Sequence, residues 1–145
     1  MAWEHAYHFG TISCVRKSGE KKEFEVRVDP LSDSAGRVWF YYAKPLPVEE
    51  QDEQEYFASV KEVGPNLLQT EGLKNGLQRY QGYGITRTLI PLIAKALSVQ
   101  IRSSRRRDGD TELRTDDATR IWERMLRDGS ASYDRTEDRF YCPPR

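Results

Sequence analysis

Cysteine is scarce in this chain, as are histidine and methionine, with two of each among 145 residues. Cys14 and Cys142 stand near opposite ends, each in a segment with strand character, so neither a disulfide framework nor a cysteine-rich zinc site has the partners it needs. His5 and His8 have a spacing that a metal can use, but no cluster of further ligands accompanies them, and no metal centre is expected. Net charge is lacking too. With 23 basic against 23 acidic residues, no overall field draws the chain to nucleic acid or an anionic membrane, and any such attraction must be local. No apolar run approaches the length of a membrane span, and Met1-Ala2-Trp3-Glu4-His5 shows no basic leader followed by an apolar stretch. These absences predict a soluble, cytoplasmic protein with no membrane partner.

What is present suffices for one core. The chain has the length of a single domain, which buries roughly two thirds of the surface its unfolded form exposes, and no repeat or long linker divides residues 1–145. Glu23-Phe24-Glu25-Val26-Arg27-Val28-Asp29 alternates apolar and charged residues, the period of a strand with one buried and one wet face. His8 to Arg16 is its predicted hairpin partner, through a turn at Ser18-Gly19-Glu20. The aromatic run Val38-Trp39-Phe40-Tyr41-Tyr42 predicts a third strand.

Past Pro47 the pattern changes. Glu49, Glu50, Asp52, Glu53 and Glu55 precede Tyr56, Phe57, Val60 and Val63, which predicts a helix with an acidic start that Gly64-Pro65 ends. Asn66 to Gln78, where glycine and asparagine interrupt the leucines, reads as loop with at most one short strand. Ile85, Leu89, Leu92, Ile93, Ala96 and Leu97 recur at helical spacing around Pro91. Val99-Gln100-Ile101 follows as a short strand. A second helix carries Ala118, Ile121, Trp122, Met125 and Leu126, capped by Thr115 or Asp116 and closed by Gly129. Ala131 to Arg135 and Arg139 to Cys142 form a closing strand pair.

The chemistry concentrates at Arg79-Tyr80-Gln81-Gly82-Tyr83-Gly84-Ile85-Thr86, just before the Leu89 helix. Two glycines one residue apart let the backbone turn tightly and lie bare, so that successive amides can point at an oxyanion in front of the helix's positive end. A third glycine is absent at Arg87, which makes a dinucleotide fingerprint a poor fit, and no Lys followed by Ser or Thr makes a nucleotide P-loop. A turn that binds nothing is the plain alternative.

These residues resemble the signature of the GNAT superfamily of N-acetyltransferases: Gln or Arg, two residues, Gly, one residue, then Gly or Ala at a helix start. Arg79, Gly82 and Gly84 fill those places, and the strand, helix and strand pair that follow reproduce the family's order over about residues 78–142. The resemblance implies an α+β fold with a central, mostly antiparallel mixed sheet, helices on both faces and the Val99 strand beside the closing pair. It implies acetyl-coenzyme A as cofactor, held by Arg79, Tyr80, Gln81, Gly82, Tyr83, Gly84, Ile85 and Thr86, with Trp122 as one wall of the cleft. The implied reaction moves an acyl group to an amine acceptor, which this sequence does not identify. Trp122 stands where many relatives have the tyrosine that protonates the departing sulfur, and an indole cannot act as that acid. Ser104, or its neighbour Ser103, is then the candidate donor. A binding or regulatory module without catalysis is the alternative function.

Arg102-Ser103-Ser104-Arg105-Arg106-Arg107 is the concentrated positive stretch. Its arginines match phosphate oxygens of coenzyme A, of an acidic acceptor or of RNA. The favoured reading is a solvated loop, because Asp108 and Asp110 follow and nucleic-acid binding needs a wider basic surface.

Overall fold

A computed structural model describes residues 2–33, 36–48, 56–75, 83–105 and 114–145. The alternating segment at Glu23 to Asp29 lies inside a long strand, β2 (Lys21–Asp33), between β1 (Tyr7–Val15) and β3 (Gly36–Pro45). Both neighbours are antiparallel to it, and the β1–β2 turn closes through Arg16 N to Glu20 O at 2.9 Å and Gly19 N to Arg16 O at 2.9 Å. Next come β4 (Tyr56–Gly64), β5 (Leu67–Asn75), a helix α2 (Ile85–Leu97), β6 (Gln100–Arg102), α3 (Asp116–Asp128), β7 (Ser132–Asp134) and β8 (Arg139–Cys142), while a four-residue α1 (Ala2–His5) precedes β1. The eight strands make one sheet in the order β1-β2-β3-β4-β5-β6-β8-β7.

Period-two burial places the core. Ile12 and Cys14, Phe24 and Val26, Tyr41 and Ala43, and Tyr56, Ala58 and Val60 are buried and belong to one cluster with Leu89, Ile90 and Ile93 of α2 and Trp122 and Met125 of α3. Both long helices therefore cover the same face. Arg27 and Lys44, which alternate with Val26 and Ala43 and so point the other way, hold the ring of Trp3 at 4.3 and 5.1 Å. The expected GNAT-like α+β arrangement with helices on both faces is thereby corrected. About half of the described residues are strand and a quarter helix, and the second face carries, among the described residues, only the short α1.

Two elements differ from expectation. Tyr56–Gly64 is a strand rather than the end of a helix, with β3 on one side and β5 on the other; residues 49–55 lie outside the described part. Tyr56, Ala58 and Val60 satisfy a period of two, as Tyr56, Val60 and Val63 satisfy one of 3.6, and two hydrogen-bonding neighbours decide in favour of the strand. Leu67–Asn75 is a full strand rather than loop. The hairpin into it turns at Pro65 and at Asn66, whose φ of 55° suits the second turn position. Gly72, which made the segment look broken, lies where an added Cβ would come within 3.1 Å of the Phe57 ring, so the glycine serves close packing.

The α3 helix starts and ends on local signals. Thr115 Oγ1 accepts the Ala118 N–H at 3.1 Å, and Gly129, at φ 81°, sends its N–H to Leu126 O. No helix among the described residues is long and apolar enough to cross a membrane.

Trp122 is fully buried and stacks on Phe140 with centroids 6.0 Å apart, while its indole N–H finds no hydrogen-bond partner among the described residues. Removing the ring in Trp122→Ala should cost about 3–5 kcal/mol in urea unfolding. Trp122→Phe, which also removes a buried donor that gains nothing, should cost clearly less. Equal losses would show that the indole N–H is satisfied after all.

Candidate anion-binding site

The one parallel pairing among the described strands joins β5 to β6, and it is short: Leu67 to Gln100, Leu68 to Ile101, Gln69 to Arg102. Adjacent parallel strands need a crossover, and α2 supplies it. Beyond Gln69 the backbone ladder between them stops, although Ser104 Oγ still reaches Thr70 O at 3.1 Å. β5 continues along β4 to Asn75, while the antiparallel run of β6 against β8 extends to Ser103, whose N–H donates to Phe140 O at 2.9 Å. A crevice at the carboxyl ends of parallel strands is where ligands of such units sit.

The start of α2 is fixed at this end of the sheet. Tyr56, paired with Asn75 at the end of β5, places its hydroxyl 2.7 Å from Thr86 Oγ1 in the first helical turn. Burial holds the Tyr56 phenol far above its usual pKa, so it remains a neutral hydrogen-bonding group. Tyr83 turns its side chain inward, with Phe24 edge-on at 5.6 Å and the Arg16 guanidinium 4.2 Å above its ring. Gly84 is left-handed, with φ 70° and ψ 39°, and forms the N-cap without any side-chain cap or acidic residue in the first turn. Its carbonyl accepts from Thr88 N at 3.0 Å and Thr88 Oγ1 at 2.9 Å. The first amides of α2 have no intrahelical partner and carry the positive end of the helix dipole. Of the predicted loop, the structure thus brings Tyr83, Gly84, Ile85 and Thr86 together, with Tyr83 and Ile85 serving as buried anchors. Arg79, Tyr80, Gln81 and Gly82 lie outside the described residues.

Beside this turn is a cavity of about 270 Å³ lined by Val15, Lys17, Arg87, Arg124, Arg127 and Asp128. Arg87 belongs to both features. Its guanidinium nitrogens stand 3.1 Å from where a Cβ on Gly84 would be, and its Nε is 3.7 Å from Asp128 Oδ2. Four cationic residues and one carboxylate therefore line this open pocket, in a chain whose total charge balances. Sequence reading missed this cluster because its members come from the β1–β2 turn, α2 and α3. The available signal was the pair Arg124 and Arg127, three apart on the polar face of an amphipathic helix.

The remaining candidates have other occupations. Trp122 is in the core and is not among the residues lining this cavity. Ser104 is buried and donates its hydroxyl to Thr70 O at 3.1 Å; Ser103 donates to Ser104 O at 3.0 Å and accepts the Phe140 N–H at 2.9 Å. Arg102 donates to Gln69 Oε1 at 2.8 Å, and Arg105 pairs with Glu137; Arg106 and Arg107 lie outside the described residues. Cys14 is buried, which raises its thiol pKa against the lowering effects of Thr88 and Arg87, so it is a poor nucleophile at neutral pH. Comparisons with protein-family models, with curated proteins and with solved structures give no match.

The left-handed turn is testable by itself. Gly84→Val adds a β-branched side chain at positive φ and presses on Arg87, and should cost at least about 1–2 kcal/mol in urea unfolding. Gly84→Asn, which tolerates this conformation, should cost less. If Val is as stable as glycine, the turn is not held left-handed.

Proposed function

We propose that this chain binds an acyl-coenzyme A, with acetyl-coenzyme A the favoured donor, and transfers its acyl group to an amine. The observation that carries the reading is the uncapped, left-handed opening of α2 at Gly84 beside a cavity in which four cations meet one carboxylate. The spacing of Arg79, Gly82 and Gly84 in the N-acetyltransferase signature supports the choice of cofactor. In this reading the amides of Gly84, Ile85 and Thr86, with Arg79, Tyr80, Gln81 and Gly82 ahead of them, hold the pyrophosphate. In this reading the thioester extends from there toward the end of the β5–β6 ladder.

Transfer forms a carbon–nitrogen bond to the amine and breaks the carbon–sulfur bond; the amine gives up a proton and the thiolate takes one. The chain's part is to orient the thioester and to offer hydrogen bonds where the carbonyl oxygen gains charge. Ser104 sits just past the end of the β5–β6 ladder but spends its hydroxyl on Thr70 O, so protonation of sulfur by Ser104 would require that bond to break. This favours a second reading, a module that binds the cofactor without turning it over. Nucleic acid is the weaker partner, because Arg102 and Arg105 are engaged with Gln69 and Glu137. The scarcity of cysteine fits the cytoplasm as the compartment of either reading.

Calorimetry with acetyl-coenzyme A decides between these readings. Binding should be measurable and should weaken by about 1.5–3 kcal/mol in Arg79→Ala, the range for hydrogen bonds to charged groups. Acetylation of any member of an amine panel supports the enzyme; binding without turnover supports the module; absence of binding removes both.

A further inference from the structure

The cavity lined by Lys17, Arg87, Arg124 and Arg127 asks more of the ligand than a pyrophosphate on backbone amides. Its cations come from the β1–β2 turn, the first turn of α2 and the second half of α3. Like charges brought into one concavity repel one another unless an anion is present. No ion pair involves Lys17, Arg124 or Arg127 among the described residues, and Arg87 has only the distant Asp128. A solvated basic helix face would explain Arg124 and Arg127 alone. It does not explain why Lys17 and Arg87, from separate elements, line the same cavity.

We propose that this cavity is a subsite for a phosphate monoester, distinct from the amides at the start of α2. Planar guanidinium groups bind phosphate oxygens two at a time, and a lysine adds a point charge. With one carboxylate against four cations, the lining is three charges positive, which suits a monoester dianion. At about 270 Å³ the cavity lies just below the range that encloses a whole drug-sized ligand. It therefore takes the phosphorylated end of a longer molecule, whose next part runs past Arg87 to Gly84. Where that molecule is coenzyme A, which rests on the function proposed above, the group is the 3′-phosphate on its ribose.

The test titrates coenzyme A and dephospho-coenzyme A, which lacks that monoester, into the full chain and into the double variant Arg124→Gln, Arg127→Gln. Arg127 is exposed and Arg124 half-buried, so the variant should fold, and circular dichroism checks it. Lys17→Gln, on an exposed turn, gives a second route if it does not. The parent should prefer coenzyme A by about ten- to a hundredfold, and the variants should lose most of that preference while still binding the dephospho form. Equal affinities in the parent, or a preference that the substitutions leave intact, would overturn the subsite. If the parent binds neither cofactor, inorganic phosphate becomes the probe. Thermal stabilisation by phosphate over chloride at equal ionic strength, abolished by the double substitution, upholds the subsite and removes the coenzyme reading. Absence of that stabilisation removes both.

Discussion

The pairing of β5 with β6 in parallel sets the rest of the molecule. Parallel neighbours cannot be joined by a hairpin, so the chain has to leave the sheet at the carboxyl end of β5, cross one face and return at the amino end of β6. That crossing is α2, and its buried residues Leu89, Ile90 and Ile93 seal the face formed by Ile12, Phe24, Val26 and Tyr41. The same geometry puts the start of α2 beside the ends of the two strands, where backbone amides are open. Tyr56 on Thr86 and Tyr83 on Phe24 then fix that start to the sheet and to the β1–β2 hairpin.

Polar side chains bridge the two strands where the ladder stops. Arg114 is buried and donates from Nε to Thr119 Oγ1 at 2.9 Å, from Nη1 to Ser104 O at 3.0 Å and Asp138 O at 3.1 Å, and from Nη2 to Asp138 Oδ1 at 3.0 Å. Arg139 reaches Gln69 Oε1 and Ser103 O, each at 2.9 Å. These bonds satisfy the carbonyls of Ser103, Ser104 and Asp138. A buried charge of this kind is costly unless it is hydrogen-bonded, and here Arg139 links Gln69 of β5 to Ser103 while Ser104 donates to Thr70 O at 3.1 Å. Past Gln69 the contact between the two strands is thus made by side chains, while β5 keeps its backbone ladder with β4.

Elements with one clear period were legible in the sequence. Glu23 to Asp29 alternates without a fault, and α3 carries a cap, a stripe and a terminating glycine, so both stand close to where the pattern put them. The β4 segment was misread because Tyr56, Val60 and Val63 fit a helix while Tyr56, Ala58 and Val60 fit a strand, and only its two sheet neighbours distinguish these. Gly72 disguised β5 because its purpose, contact with the Phe57 ring, is a tertiary fact. For the site, the glycine turn was readable from Gly84 and the helix behind it. The basic cavity was not, since Lys17, Arg87, Arg124 and Arg127 approach one another only after the crossover is made. The expected helices on both faces failed for a related reason: resemblance over residues 78–142 carries no information on the first half, which forms five consecutive antiparallel strands with β5.

Amide and arginine side-chain chemical shifts report the central claim directly, that the opening of α2 and the cavity beside it hold one phosphate-bearing ligand. On titration of the intact, labelled chain with acetyl-coenzyme A, the account predicts the largest changes at the amides of Gly84, Ile85 and Thr86 and at the Nε–H groups of Arg87, Arg124 and Arg127, saturating together. Changes centred on the opposite face of the sheet, around Phe40 and Phe57, with Gly84 and Arg87 unmoved, would contradict it.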